Sequence, residues 1–571
     1  MKKLFLILLI IIINPINAQE LSTAQLDSLY RSLTFLRGVD TSDKPQKQIE
    51  IDPAIIKCGM SLVQQIKSNL SYFSVEQQTV LAKLLQRRDD LPKTLITPNG
   101  FFKIHYTDTG DDAIGYDLNL LAQALDSAYS FEINHLGYPP PPPDGTAGGD
   151  DKYDVYVYQL RDVYGYTSWE SKVGVSSWTS FIEIDNNFGS IFYTHGIDAA
   201  QITVAHEFHH AIQMGNYAPE NNASAIRGSD TFFYEISSTA MEEFVFDSVN
   251  DYYDYIPHYF NNTSKSFSTN PTQTELQGYG LAIWNIYLKD IFGFEIIKRQ
   301  WELMKSTRAM AAIAFSINEY GSTFGHELNR FGIWTYYTSS RSVPGKFFKD
   351  ASNYPLVKPI ANTSFNPPSQ QFTIGTSPSS NYFLDIKDGI TGDSLMLIVT
   401  NFDFQNAINN QTQMFNASYY IYTDLNIGER KLGNYYSSSL TATPLTFWQA
   451  TEIINGVVVN GDTTSIIPLP SNLSYAFPSP FYYFKNYSFG SFISIPIKAS
   501  LGGNVELNIY TVSMDLVYSG SETIKFLANT ATGIVWDVHD NAGEKLPTGV
   551  YIYVAKVGDE VQKGKLVIFN E

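Results

Sequence analysis

A multidomain chain is predicted, with an α+β domain followed by all-β sandwich domains, because the period of the apolar residues changes along the sequence. Leu21, Leu26, Leu29 and Leu33, then Leu62, Ile66 and Leu70, then Val80, Leu81, Leu84 and Leu85 recur at helical spacing. Beyond about Val343 the composition shifts to Ser, Thr, Asn and aromatics in short alternating runs, which bury one face of a strand. With 571 residues, 44% of them hydrophobic, the chain is long and apolar enough for several cores. Its net charge of -19 argues against a nucleic-acid partner.

Taken in order, residues 1–18 have the parts of a secretory signal peptide. Lys2 and Lys3 precede the apolar run Leu4 to Ile13, and Ile16-Asn17-Ala18 offers cleavage before Gln19. The run is too short to span a bilayer comfortably. A mature chain without a transmembrane segment is therefore expected, exported through the periplasm and either secreted or held at the cell surface. Residues 19–97 are expected to form a helical N-terminal segment, a propeptide or a helical cap.

Residues 98–342 should form the domain that carries chemistry. It opens with strands and a helix near Asp117 to Glu132, then crosses the proline run Pro139 to Pro143. Trp178 to Asp185 alternates in bulk and reads as a strand, either an edge strand able to pair with an extended peptide or a plain sheet strand. The run His206-Glu207-Phe208-His209-His210 contains H-E-x-x-H. On a helix His206 and His210 stand one above the other and can offer two neutral imidazoles to one zinc ion. Glu207, one step round, is placed to take a proton from a water whose pKa the metal lowers to roughly 7. Asp198 with Gln201 suggests a capping box for this helix and Gly215 its stop. His209 lies near the same face, but the i, i+4 pair favours His210.

A second helix is expected over Phe232 to Phe244, opened by Ser229 or Asp230, with Glu235, Thr239 and Glu242 on one face. Glu235 is the expected third ligand, completing a His2Glu set with one open position. Glu242 is either a partner that orients a histidine or glutamate, or a solvated carboxylate. Glu243 is expected to face solvent. Tyr279 is the candidate to hydrogen-bond a developing oxyanion, set against a plain core tyrosine in a chain with 38 tyrosines. His195 and His326 have no spacing that ties them to a metal. Asp144, Asp150, Asp151 and Asp154, among Gly145, Gly148 and Gly149, offer oxygen ligands for calcium as a second cofactor, although a solvated turn is the plainer reading.

At these residues the stretch from about Phe101 to Trp334 resembles a family of secreted bacterial zinc metalloproteases of the gluzincin type. The resemblance runs through Phe102 to Tyr106, Leu136-Gly137-Tyr138, Tyr153 to Val157, Tyr164-Gly165-Tyr166-Thr167, Ile184-Asp185, Ala205 to Gln213, and Glu235 through Glu242 to Asn250-Asp251-Tyr252. It implies a zincin-like metalloprotease domain. Ile236 and Ala240 stand where that family usually has glycine and tryptophan. The single cysteine, Cys58, excludes an internal disulfide. Lys57-Cys58-Gly59 resembles the basic-Cys-Gly element by which some zinc protease propeptides place a thiolate on the metal, with Arg87-Arg88 as a cleavage point; the alternative is a buried inert thiol.

Residues 343–470 read as a β-sandwich-like domain, with strands at Tyr382 to Ile386 and Leu395 to Val399 and no catalytic cluster. In residues 471–571, Val505, Leu507 and Ile509 alternate, and Gly549 to Lys556 should pair with Gln562 to Phe569 across Gly558-Asp559. This part resembles the immunoglobulin-like C-terminal sorting domain of type IX secretion cargo, through Phe477-Pro478-Ser479-Pro480-Phe481, Trp536-Asp537 and Leu546 to Tyr551. The type IX machinery is thus an expected partner. The functional expectation is a secreted zinc-dependent endopeptidase acting on protein or peptide substrates. The alternative is a non-catalytic, zinc-containing surface adhesin.

Overall fold

The computed structural model of the chain describes residues 21–39, 56–272 and 275–365, and shorter stretches between 369 and 570. The expected signal peptide and Phe477 to Pro480 lie outside the described residues.

Helix α1 (Thr23–Leu36) starts from a complete capping box in which Ser22 and Gln25 satisfy each other's end of the first turn. Strand β1 (Ile56–Cys58) leads into α2 (Met60–Asn69), and α3 (Val75–Leu84) has its own box from Ser74 and Gln77. Strands β2 (Lys93–Ile96) and β3 (Phe102–Tyr106) follow, then α4 (Leu118–Tyr129), which Asp117 caps through Asn119 and Leu120. Strands β4 (Tyr153–Tyr158), β5 (Val163–Gly174) and β6 (Ser177–Asp185) complete a six-stranded sheet in the order β1-β5-β6-β4-β3-β2. β3, β4 and β6 run parallel, whereas β5 is antiparallel to β6. Every residue of β4 is buried, as expected of a strand covered on both faces.

The segment Trp178 to Asp185 is therefore an inner strand and not the edge. β5 lies outside it, and the N-terminal segment adds β1 beyond β5. Sequence alternation marks a strand but says nothing about its neighbours.

Helix α5 (Gly196–Asn216) packs on this sheet, with Phe208 set edge-on against Phe102 at 5.0 Å between ring centroids. It begins earlier than a cap at Asp198 would allow: His195 is the N-cap and Asp198 lies in the first turn. Gly215 is inside the helix and not its stop. A Cβ there would come within 2.8 Å of Pro142, so the glycine admits the proline run, which Asn216 Nδ2 holds by donating to Pro139 O at 2.8 Å.

Helix α6 (Thr231–Val245) lies beside α5. Behind it come α7 (Ile256–Phe260), α8 (Gln277–Gly280), α9 (Ala282–Phe292), α10 (Glu295–Met304), α11 (Ala309–Glu319) and α12 (Phe324–Tyr336). One buried apolar cluster unites these elements, and it includes Leu33, Leu36, Met60, Val63, Ile66 and Leu81 of the N-terminal segment. The dibasic pair is engaged in the fold and does not form a free processing loop. Arg87 pairs with Asp144, Asp154 and Glu170, and Arg88 with Asp90 and Asp112.

Strands β7 (Ala361–Phe365), β8 (Ser369–Ile374), β9 (Ser380–Asp388), β10 (Ser394–Asn401), β11 (Gln413–Thr423) and β12 (Asn426–Ser437) follow. All but β8 form a sheet in the order β12-β11-β10-β9-β7, while β8 pairs with β13 (Thr443–Trp448) and β14 (Glu452–Ile454) with β15 (Val457–Val459). Asn381 donates to Leu328 O at 2.8 Å and Asn329 to Thr400 at 2.9 Å, which ties β9 and β10 to α12.

The C-terminal part is built from β16 (Phe481–Tyr482), β17 (Ile493–Pro496), β18 (Asn504–Thr511), β19 (Leu516–Thr523), β20 (Lys525–Phe526), β21 (Thr532–Trp536), β22 (Gly549–Val557) and β23 (Glu560–Phe569). These make a five-stranded sheet, β16-β23-β22-β18-β19, and a three-stranded one, β17-β21-β20. Ile495, Ile534 and Trp536 of one sheet and Leu507, Tyr553 and Leu566 of the other share a second, separate core. The chain is thus an α+β part followed by β-rich parts. No helix among the described residues is long and apolar enough to cross a membrane.

Candidate metal centre

The i, i+4 spacing on α5 brings His206 Nε2 within 3.1 Å of His210 Nε2. Glu235, from α6, places Oε2 3.1 Å from His206 Nε2 and 3.4 Å from His210 Nε2. The opposite ring nitrogens are occupied. His206 Nδ1 donates to Glu242 Oε1 at 2.7 Å, and His210 Nδ1 donates to Gln213 Oε1 at 2.7 Å, 3.1 Å from Ser238 Oγ. With the protons on Nδ1, the two Nε2 lone pairs and a carboxylate converge on one point. That convergence is repulsive unless a cation or a proton lies within it. Burial opposes a charge on His206, but its hydrogen bonds to Glu235 and Glu242, with the charges of Glu242 and Glu207, outweigh burial and raise its pKa to about 9.

Cys58 joins the same point. Ligand atoms of Cys58, His206, His210 and Glu235 all lie within 4.8 Å of one another, and all four residues are buried. Glu207 Oε1 and Glu235 Oε1 are buried without a hydrogen-bond partner. A set of imidazoles, a carboxylate and a thiol around orphaned carboxylate oxygens fits zinc in type and number. Burial, with the neighbouring Glu207 and Glu235 carboxylates, pushes the Cys58 thiol well above its usual range.

Glu207 sits beside this cluster. Thr167 Oγ1, from β5, lies 2.7 Å from its Oε2 and 2.8 Å from its backbone oxygen. Burial raises the Glu207 pKa, partly opposed by His206, His210 and Thr167. Gly165 makes the approach of helix and strand possible, since a Cβ there would lie 2.9 Å from Thr203 Cγ2 and 3.1 Å from Glu207 Cγ.

Around these lies a charged shell. The second oxygen of Glu242 is 2.9 Å from Lys57 Nζ, Lys57 also pairs with Asp251, and Asp251 accepts from Tyr164 at 2.8 Å. Tyr279, on α8, comes to the site: its ring centroid is 6.4 Å from that of His206, and its hydroxyl donates to Cys58 O at 3.4 Å.

Other predicted residues lie elsewhere. His209 turns away and pairs with the buried Glu132 at 2.8 Å, pinning α5 to the turn after α4. His195 Nδ1 lies 3.1 Å from Gly189 O, and His326 is 3.7 Å from Glu327. Glu243 does not face solvent. It is 7% exposed, and burial followed by the nearby Asp247 raises its pKa to about 9. The acidic glycine loop gathers no cation site among the described residues, because Asp144 and Asp154 pair with Arg87 and Asp150 with Lys103. Thr167, Gln213 and Ser238 have roles at the site that sequence spacing did not single out, and Lys57, named with Cys58 as a basic-Cys-Gly element, holds Glu242. Of the first three, only Gln213 carried a signal, three residues past His210 on the same helix.

Residues 106–311 match the profile of a family of unknown function, DUF6055. The match contains His206, Glu207, His210, Glu235, Glu242 and Tyr279 and leaves Cys58 outside. No curated protein matches the chain. One similar solved structure is PorZ, an essential bacterial surface component of the type-IX secretion system of Porphyromonas gingivalis, at TM-score 0.13 and 10% identity over 34% of this chain and 39% of that one. Another is dimeric latent PorU of the same organism, at TM-score 0.14 and 13% identity over 39% of this chain and 22% of that one. A third is the neural ectodermal development factor IMP-L2, at TM-score 0.10 and 10% identity over 37% and 90%. The chain spans well under half the length of the first two.

Proposed function

We propose that this chain is an exported zinc-dependent endopeptidase with a zincin-like catalytic domain acting on protein or peptide substrates. The observation that carries the reading is the convergence of His206, His210 and Glu235 beside a buried carboxylate, Glu207, that none of them uses. Bound there, zinc supplies Lewis acidity that lowers the pKa of water to roughly 7 and polarises a carbonyl. Glu207 takes up the proton of the attacking water and returns it to the departing amine. Glu242 and Gln213 hold the two imidazoles in the tautomer that leaves Nε2 free. Tyr279, still protonated because burial and the nearby Glu235 raise its pKa, is the donor available to a developing oxyanion. The signal-like N-terminus and the type IX resemblance at the C-terminus support a secreted or surface-held protein delivered by that machinery.

The test is casein hydrolysis by the purified chain, intact and after limited proteolysis, with and without a zinc chelator. Activity should vanish with the chelator and return with zinc. Glu207→Gln should lose about 10²–10⁴-fold while keeping its metal. One observation favours the adhesin reading: Cys58 supplies a fourth ligand atom, and a four-ligand centre is closed. A zinc-loaded chain that stays inert after trimming would support that reading and sink the peptidase.

A further inference from the structure

We propose that, in the intact chain, Cys58 is the fourth zinc ligand and that the segment from α1 to α2 holds the endopeptidase latent; this rests on the zinc reading above. The Cys58 sulfur stands with His206, His210 and Glu235 in one cluster 4.8 Å across, and the cluster faces two buried carboxylate oxygens, of Glu207 and Glu235, that have no other partner. The thiol gives up its proton to solvent as sulfur binds the metal. On departure the thiolate regains a proton and water takes its place.

Lys57, Cys58 and Gly59 also engage the rest of the proposed catalytic apparatus. β1 pairs in parallel with β5 in the register Ile56↔Val163 and Cys58↔Gly165, and Gly59 N donates to Gly165 O at 3.0 Å. β5 would otherwise be the sheet's edge, and its free main-chain groups are what an extended peptide needs beside Glu207. Tyr279, the oxyanion donor, spends its hydroxyl on Cys58 O. Lys57 binds Glu242, the residue that orients His206. Metal position, edge strand, oxyanion donor and histidine support are therefore all occupied by residues 57–59.

Gly59 explains why the element is Cys-Gly. An added Cβ would sit 1.6 Å from Tyr166 Cε1, so only glycine lets the chain pass from β1 into α2 with the sulfur at the cluster. The segment is also seated firmly: Arg37 Nη2 donates to Glu183 Oε2 at 2.7 Å, and Leu33, Leu36, Met60 and Val63 are in the main core.

The test is cobalt substitution of the full chain, of Cys58→Ser and of Gly59→Ala, read by absorption, together with casein hydrolysis by the zinc forms. All three should bind one cobalt, and only the wild type should show the near-ultraviolet thiolate-to-cobalt band. Zinc-loaded Gly59→Ala, in which the clash with Tyr166 unseats residues 57–59 together, should cleave casein at least tenfold faster than the wild type, and Cys58→Ser, which frees the metal position but leaves β1 on β5, should gain less. Cobalt bound by the wild type without that band would remove Cys58 from the metal. A band with equal activity in all three would leave the peptidase standing and end the latency proposal, and a band with both variants inert would mark a permanently closed structural centre. Failure of all three to bind cobalt would refute the zinc reading itself.

Discussion

The hydroxyl of Thr167 donates to the Glu207 carboxylate, and it works against the burial that raises that group's pKa. The sign of its removal follows. Glu207 accepts a proton only as a carboxylate, so Thr167→Val should lift its pKa further and move the acid limb of the kcat/KM profile to higher pH. A pH–rate profile of the activated variant checks this, and an unmoved limb would show that Glu207 is not the titrating base. His206, Glu207 and His210 were legible in the sequence because their spacing lies within one helix, where a period of 3.6 fixes which residues share a face, and Glu235 because a His2Glu set calls for a glutamate on a following helix. The contacts of Thr167 with Glu207 and of Lys57 with Glu242 were not, because they depend on which strands neighbour each other, and no local pattern encodes that.

Within α6, Glu243 is expected from sequence to face solvent, and it is buried. The helix is buried around nearly its whole circumference, so an inward and an outward face cannot be told apart from charge alone. Burial raises the Glu243 pKa from its ordinary 4.5 to about 9. Between those values the folded state holds a proton that the unfolded state has released, so this group's contribution to stability is greatest at low pH and is lost as pH rises through the window. Glu243→Gln should therefore leave Tm near the wild-type value at pH 4 and raise it increasingly towards pH 9. A Tm difference that is flat with pH would contradict the assignment. The limits of α5 were misread for a related reason: Gly215 answers to the prolines packed against it and not to a helix terminus.

At the scale of the molecule, the sequence distinguished the helical part from the β-rich parts by apolar period, and the C-terminal hairpin followed from its alternation around Gly558. It did not reveal that Phe383 and Ile398 of β9 and β10 join the main core, since that depends on long-range packing. The C-terminal sandwich has a core of its own. Truncating it with Leu507→Ala should destabilise that unit by about 2–5 kcal/mol and leave zinc content and hydrolysis unchanged. Calorimetry should show a single lowered transition, and loss of metal in this variant would show the two cores to be coupled.

The N-terminal segment contributes buried cations to carboxylates that belong to the rest of the α+β part: Arg37 to Glu183, and Lys57 to Glu242 and Asp251. Breaking a buried pair by removing one member costs about 3–5 kcal/mol, because the remaining charge is left uncompensated. A chain that has shed this segment would carry three such acids without the counter-charges against which they were folded. The segment is thus part of the instructions for assembly as well as the restraint proposed above, and a trimmed chain, once denatured, would have lost the template for its own refolding.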